Sequence, residues 1–371
     1  MREMSRSAQN FDIRLVTPSK VLVVGAGRAG QRFLRVLAFL EQAGAPVQVC
    51  GVCDVDEKLR TVACPPGVPF FRNVAEALKV SQPDSVVVCV NEIAHHSVIS
   101  TIFEWGQGVR SILCEKPLTR TLAEFRDIEP SCQNHQLTVN FVERHSPIVE
   151  YWQHWTSQND VDITRVEFNW GKSRFRDSRP TMGVLSEISH PIDLVRFLIG
   201  EHPDVGFELV SATLTESNFT QSEVPVPDTA YVTYTIGNTP VLGSSSFLWT
   251  SRRRNIVIWA ESHGESGVYR ATFDFDNPLW DQDDLVIHRL DPATGDANVV
   301  AEYRCTNSDF PEDLFQINKV ARFVADSLST DGARSRVAAA PADAEWVQVA
   351  LDTIERQAAR IKPPVEFKVD K

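Results

Sequence analysis

Five short, largely apolar strand-like runs, separated by stretches with helical spacing, constrain the first part of this chain more than any other feature. They are Val21–Val24, Val47–Cys53, Ser85–Val90, Ser111–Cys114 and Leu137–Phe141. A strand that is apolar on both faces needs cover on both, and helices between strands supply it. Between the first two runs, Phe33, Leu34, Leu37 and Leu40 recur on one stripe of a helix expected over 31–43. After about residue 147 the pattern changes. A strand-like run at 163–170 and a helix over 185–198 come first. Strand-like runs follow at 207–215, 230–236, 241–249, 255–260, 268–275, 285–290 and 299–303, then helices near 312–328 and 341–360. Turn residues such as Gly237-Asn238 and Thr294-Gly295-Asp296 separate the strands. The expected fold class is α/β, with a doubly wound parallel sheet over 1–146. An α+β domain with a large, mostly antiparallel open sheet is expected over 147–371, for substrate binding and oligomerisation.

Composition excludes several classes of function. The chain has 371 residues, 43% hydrophobic and 23% charged, which is ordinary for a folded globular protein. Lys and Arg number 37 against 49 Asp and Glu, a net charge of −12. That balance argues against a nucleic-acid partner, which calls for a basic face. No apolar run approaches the ~20 residues that span a bilayer, and the first residues lack the apolar stretch of a secretory signal. A cytoplasmic protein without a membrane partner is expected. Six of the seven cysteines precede residue 133, and the odd number fits free thiols in a reducing compartment. Cys50 and Cys53 form a CxxC inside a strand, where odd spacing sends the thiols to opposite faces. No second pair completes a zinc set, so no metal is expected. Asn218-Phe219-Thr220 matches a glycosylation sequon but means little without secretion.

Gly25-Ala26-Gly27-Arg28-Ala29-Gly30 follows the first strand and opens the first helix. Gly25 permits the tight turn, Gly27 lets a pyrophosphate approach the backbone, and Gly30 allows close helix–strand packing. The helix start then offers N–H groups and partial positive charge to the phosphates. Asp54 lies at the end of the second strand, 24 residues past Gly30. Its carboxylate can accept hydrogen bonds from both adenosine ribose hydroxyls and repels a 2′-phosphate. NAD is therefore the expected cofactor of this Rossmann domain, with Asp56 reinforcing the charge, while Arg28 keeps NADP open.

At Cys114-Glu115-Lys116-Pro117 the chain resembles the Gfo/Idh/MocA oxidoreductases. The glycine turn, Asp54 and the strand leading to His95 share in the resemblance. It continues through Asn140–Pro147, through Glu187-Ile188-Ser189-His190-Pro191-Ile192-Asp193-Leu194, and through Asp228-Thr229-Ala230 with the Gly237-Asn238 turn. The family implies two domains with nicotinamide at the cleft, and oxidation of a hydroxyl on a sugar, polyol or sugar nucleotide, or reduction of the matching ketone. It also implies a homodimer or homotetramer built through the C-terminal sheet.

The resemblance carries over to particular residues. Lys116, just past a strand's C-terminal end, corresponds to a catalytic lysine whose ammonium can polarise the substrate oxygen, and Pro117 would fix its loop. His190 is the expected general base, since the ordinary imidazole pKa suits proton transfer near neutrality. Asp193, three residues on, can orient it or serve as an ion-pair or capping residue. Many members carry Asp four residues before this histidine; this chain has Ser186 there, with Glu187 one position later. Glu187 is thus the candidate orienter or substrate ligand, unless it points away. Pro191 implies that the helix starts or kinks nearby. Asn91, His95 and Glu115 are expected near the cofactor, with His96 as competitor for His95. Arg144 is expected either near the substrate or as a salt-bridge partner. Lys172, Arg174, Arg176 and Arg179 form a basic run that can bind a phosphate, diphosphate or carboxylate, or can be a solvated loop. Arg252-Arg253-Arg254 is expected at a strand end. The leading function is an NAD(H)-dependent oxidoreductase acting on a small-molecule sugar, polyol or sugar derivative. The alternatives are an imine reductase and a non-catalytic cofactor-sensing regulator.

Overall fold

The structure, a computed structural model, describes residues 16–174, 182–200, 203–216, 226–262, 267–276, 282–291, 293–306, 315–329 and 337–362. Arg176, Arg179 and the sequon at Asn218 lie outside these residues. The chain divides into two compact units, Met1–His145 with Ile317–Gln348, and Ser146–Gln316 with Val349–Lys371.

In the first unit, six strands make one sheet: β1 (Ser19–Val24), β2 (Val47–Cys53), β3 (Phe70–Phe71), β4 (Ser85–Val88), β5 (Ser111–Glu115) and β6 (Gln136–Asn140). Their order is β3-β2-β1-β4-β5-β6, and every neighbouring pair is parallel. The order reverses between β1 and β4, the switch point at which open α/β sheets bind ligands outside their C-terminal strand ends. Helices α1 (Arg28–Gln42), α2 (Leu59–Ala63), α3 (Val74–Ser81), α4 (His95–Trp105) and α5 (Leu122–Cys132) connect the strands. The apolar stripe of α1 buries Phe33, Leu34, Leu37 and Leu40. β3 is too short to leave a hydrophobic period and is absent from the sequence reading. The register of β1 on β2 skips Cys50, so this residue bulges within the strand, half-buried, while Cys53 is buried.

The C-terminal segment 317–348, expected with the second domain, lies with this first unit. Phe323 of α8 (Phe315–Ser327) meets Phe33 edge-on at 6.3 Å. The Thr17 amide donates to Leu328 O, and the Val139 amide to Ala339 O.

The second unit opens with α6 (Pro147–Asn159), β7 (Val161–Ser173) and α7 (Val184–Ile199). Next come β8 (Phe207–Thr215), β9 (Thr229–Ile236), β10 (Thr239–Ser246), β11 (Leu248–Ser262), β12 (Val268–Asp274), β13 (Gln282–Leu290) and β14 (Ala297–Thr306). After α9 (Pro341–Gln357) the chain adds β15 (Ala359–Ile361). Nine strands form one sheet in the order β14-β13-β12-β11-β7-β10-β9-β8-β15. Only β7–β10 and β8–β15 pair in parallel. Alternation places Val232, Tyr234, Ile256, Ile258, Phe273 and Leu285 in the core. The Trp152 indole donates to Leu198 O at 2.9 Å, joining α6 to α7. Two expectations change here. The runs at 241–249 and 255–260 resolve into β10, ending at Ser246, and one long β11. The helix expected to 360 ends at Gln357.

Candidate active site

The glycine loop is built as its spacing requires. Gly25 has φ +97°, and a Cβ there would lie 2.7 Å from the Cys89 carbonyl. A Cβ on Gly30 would lie 1.9 Å from the Gly25 carbonyl oxygen. Gly27 is different, because nothing lies within 4 Å of where its Cβ would be. It caps α1 with no side-chain bond and no acid in the first turn. The amides of Arg28, Ala29 and Gly30 thus open the helix where intrahelical acceptors are missing. Arg28 itself is exposed. Asp54, half-buried at the end of β2, accepts the Ala26 amide at 2.6 Å on one oxygen and the Asp56 amide at 2.9 Å on the other. Its carboxylate therefore braces the loop that it borders. Open space at Gly27, a helix start and a carboxylate at the end of β2 together fit a dinucleotide. Burial pushes the Cys53 thiol up to about 12 and raises Cys89 and Cys114 well above the ordinary thiol range. These thiols near the loop are protonated and chemically quiet.

Lys116 follows β5 on the same C-terminal edge of the sheet. The Lys116–Pro117 peptide is cis, and Lys116 is half-buried. Glu115 accepts Arg32 Nη2 at 2.8 Å and Asn140 Nδ2 at 3.0 Å on one oxygen. On the other side, His95 is 1% exposed. Its Nδ1 lies 2.8 Å from Pro117 O and its Nε2 3.2 Å from Val90 O. Both ring nitrogens thus face main-chain carbonyls. His96 pairs with Asp127 at 2.8 Å. Asn91 accepts the Ile93 amide at 3.1 Å and caps the short turn before α4. Arg144 is buried and meets Asp343 at 3.3 Å.

In the second unit, α7 carries Glu187, His190 and Asp193 at successive intervals of three. Glu187 and Asp193 are 0% exposed and His190 is 7% exposed. The helix, expected to start or kink near Pro191, begins at Val184 after Gly183 and carries Pro191 inside it. Ser186, at the family's acid position, instead donates to Gly183 O at 3.1 Å. Glu187 is ion-paired with Lys172 and accepts Arg254 Nη2 at 3.1 Å. Arg254 also donates to Asp276 at 2.5 Å. The His190 ring lies against Trp170, centroids 6.1 Å apart. Asp193 approaches Arg196 at 4.0 Å. Arg174 stacks over Phe247 at 5.1 Å. Among the described residues, no group of three His, Cys, Asp or Glu is arranged to hold a metal.

Arg32, Arg254 and Asp276 were not singled out as site residues by the sequence. For Arg254 a signal existed. Ile256, Ile258 and Ala260 face inward, and strand parity puts Arg254 on the same side. Where a strand end is expected, β11 spans Leu248–Ser262, but its register on β7 shifts between Leu248 and Arg253.

Residues 19–142 match the oxidoreductase family with an NAD-binding Rossmann fold, GFO_IDH_MocA. Over these residues the first unit is similar to the NAD-binding Rossmann domain of the Gfo/Idh/MocA oxidoreductases. Inositol 2-dehydrogenase 2 of Paenarthrobacter aurescens is 31% identical over 137 residues, 35% of this chain and 40% of that protein. The chain spans less than half the length of the curated relatives it matches. Two solved structures share the fold along the chain. UDP-N-acetylglucosamine 3-dehydrogenase GnnA from Acidithiobacillus ferrooxidans has TM-score 0.67 and 18% identity, covering 92% of this chain and 97% of that one. The transcriptional regulator Gal80p from Kluyveromyces lactis has TM-score 0.68 and 15% identity, covering 96% of each chain. No helix among the described residues is long and apolar enough to cross a membrane.

Proposed function

We propose that this chain is an NAD(H)-dependent oxidoreductase acting on a carbinol or ketone carbon of a sugar, polyol or sugar derivative. The observation that carries the proposal is the support of Lys116. It lies beside the switch point of a dinucleotide-binding sheet, with Glu115 gripped by Arg32 and Asn140 on one side and Pro117 held to His95 on the other.

Gly27 and the amides at the start of α1 would hold the pyrophosphate, and Asp54 the adenosine ribose, which favours NAD over NADP. When bound, the nicotinamide supplies or accepts the hydride. The chain's own residues manage the proton and the oxygen. Lys116 Nζ donates to the substrate oxygen and stabilises the alkoxide character that develops there. An imidazole nitrogen of His190 takes the hydroxyl proton during oxidation and returns it during reduction. The ring rests against Trp170.

Within the described part of the basic run, Lys172 has Glu187 as counter-charge and Arg174 lies over an aromatic ring. This favours a neutral polyol or sugar over a phosphorylated one. Tyr231 and Leu242, each 57% exposed, lie on neighbouring strands β9 and β10. They support a homo-oligomer formed through the second unit's sheet.

The test is turnover of NAD⁺ with a panel of polyols, neutral sugars, sugar acids and sugar nucleotides, with Lys116→Ala and His190→Ala as controls. Turnover lost in both variants supports the assignment. Dinucleotide binding without turnover of any panel member would favour a regulator instead. Activity toward imines that survives His190→Ala would favour imine reduction, which needs less proton transfer.

A further inference from the structure

We propose that Arg254 is a positioning residue for the His190 face of α7. The proposal rests on the role assigned to His190 above, and it goes further by naming what holds that face in place.

Arg254 is 5% exposed, on a core-facing position of β11, where an apolar side chain of similar volume is often as stable as a buried ion pair. Its guanidinium is engaged on three sides. One nitrogen donates to Glu187 at 3.1 Å and another to Asp276 at 2.5 Å. Its Cζ lies 5.1 Å from the centre of the ring of Trp170, the residue directly across from it on β7. Two of these three contacts lead to His190. Glu187 precedes it by three residues, one turn away on the same helix face, and Trp170 is the ring against which it rests. One side chain therefore fixes both neighbours of the proposed base.

The far side of Arg254 is fixed too. Asp276 is 0% exposed and has φ +55°, and its amide donates to Asp283 Oδ1 at 2.8 Å. Asp283 in turn accepts Ser146 Oγ at 2.5 Å. Lysine is a poor replacement, because its single ammonium nitrogen must serve both carboxylates from one point and lacks the planar guanidinium that packs on an aromatic ring.

The experiment uses the full chain saturated with NAD⁺ and compares wild type with Arg254→Lys, Arg254→Met and the charge-balanced Arg254→Met/Asp276→Asn. The double variant leaves the Lys172–Glu187 pair intact and removes one charge of each sign. Two readouts are taken. One is the rate of diethyl pyrocarbonate modification at His190, by peptide mass spectrometry, with His96 of the first unit as internal reference. The other is kcat and KM on whichever panel substrate turns over. Positioning predicts His190 modification faster by about tenfold or more in all three variants. It also predicts kcat lower by about 10²-fold with little change in KM, as expected for a misplaced catalytic group. In the double variant these changes persist although its melting temperature is close to wild type. A purely structural ion pair predicts the opposite: the double variant regains stability, His190 protection and kcat together, which would overturn the proposal. Arg254→Lys decides the matter if the methionine variants fail to fold, since unchanged modification and kcat in that variant also overturn it. If no panel member turns over, the proposed activity fails while His190 modification still decides the role of Arg254.

Discussion

Nδ1 of His95 lies 2.8 Å from the carbonyl oxygen of Pro117, one residue beyond Lys116. The same ring reaches Val90 O through Nε2 at 3.2 Å, so one imidazole links the end of β4 to the loop after β5. The neutral ring has one N–H, so replacing it with alanine leaves one of these carbonyls short of a donor, at about 1–3 kcal/mol. His95→Ala is therefore expected to lower unfolding stability by about 1–3 kcal/mol in denaturant titration. It should also reduce turnover more than NADH affinity, because the loop that moves carries Lys116. His95→Gln, whose amide still donates, should recover part of both losses.

The glycines of the loop are expected to separate by role. Gly30→Ala places a methyl 1.9 Å from the Gly25 carbonyl, so α1 must shift away from β1. Loss of stability and of dinucleotide binding should appear together. Gly27→Ala meets nothing within 4 Å, so its melting temperature should stay near wild type. The added methyl instead occupies the space assigned to the pyrophosphate. NADH affinity, read by fluorescence, should fall about tenfold or more, equivalent to about 1.4 kcal/mol. A stable Gly27→Ala variant with full affinity would remove the loop from the cofactor site.

These contrasts show what a sequence can and cannot carry. The first sheet was legible because its strands are apolar on both faces and the glycine turn marks the end of β1. In β11 the charges of Arg252-Arg253-Arg254 hid a strand that inward parity from Ile256 onward would have extended. The partners of Glu115 and Glu187 were not legible. Arg32 is 83 residues from Glu115 and Arg254 is 67 from Glu187, and no local period encodes such pairings. The return of 317–348 to the first unit was hidden for a similar reason. An amphipathic helix announces a buried face but not the surface that covers it.

His145 gives the first unit a pH-dependent stability. Burial lowers its pKa from the ordinary 6.5, against the opposing pull of Asp326, whose carboxylate lies 3.2 Å from Nδ1. Arg144 and Arg322 lower it further. The unfolded chain therefore binds this proton more readily than the folded one. The contribution is fully present above pH 6.5 and is lost as pH falls through the lower folded value. Melting temperature should decline from pH 7 toward pH 5, and His145→Gln should flatten that part of the profile. An unchanged slope in the variant would assign the decline to other groups.

Glu143 and Lys319 form a deeply buried ion pair joining the returning C-terminal segment to the rest of the first unit. Lys319 Nζ donates to Glu143 Oε2 at 2.6 Å, with side chains 1% and 2% exposed. Each charge is tolerated there because the other is present. Lys319→Met should therefore destabilise the chain by about 3–5 kcal/mol, since it removes the cation beside a buried carboxylate. Lys319→Met/Glu143→Leu removes both charges and fills the same volume with apolar atoms. Its stability should return to within about 1–2 kcal/mol of wild type, because two desolvation costs disappear with the attraction. Denaturant unfolding of the single and double variants, with NADH binding to check the Rossmann domain, measures this directly. If the two losses simply add, the pair is not coupled, and the attachment of 317–348 must rest on apolar contacts such as Phe33 with Phe323.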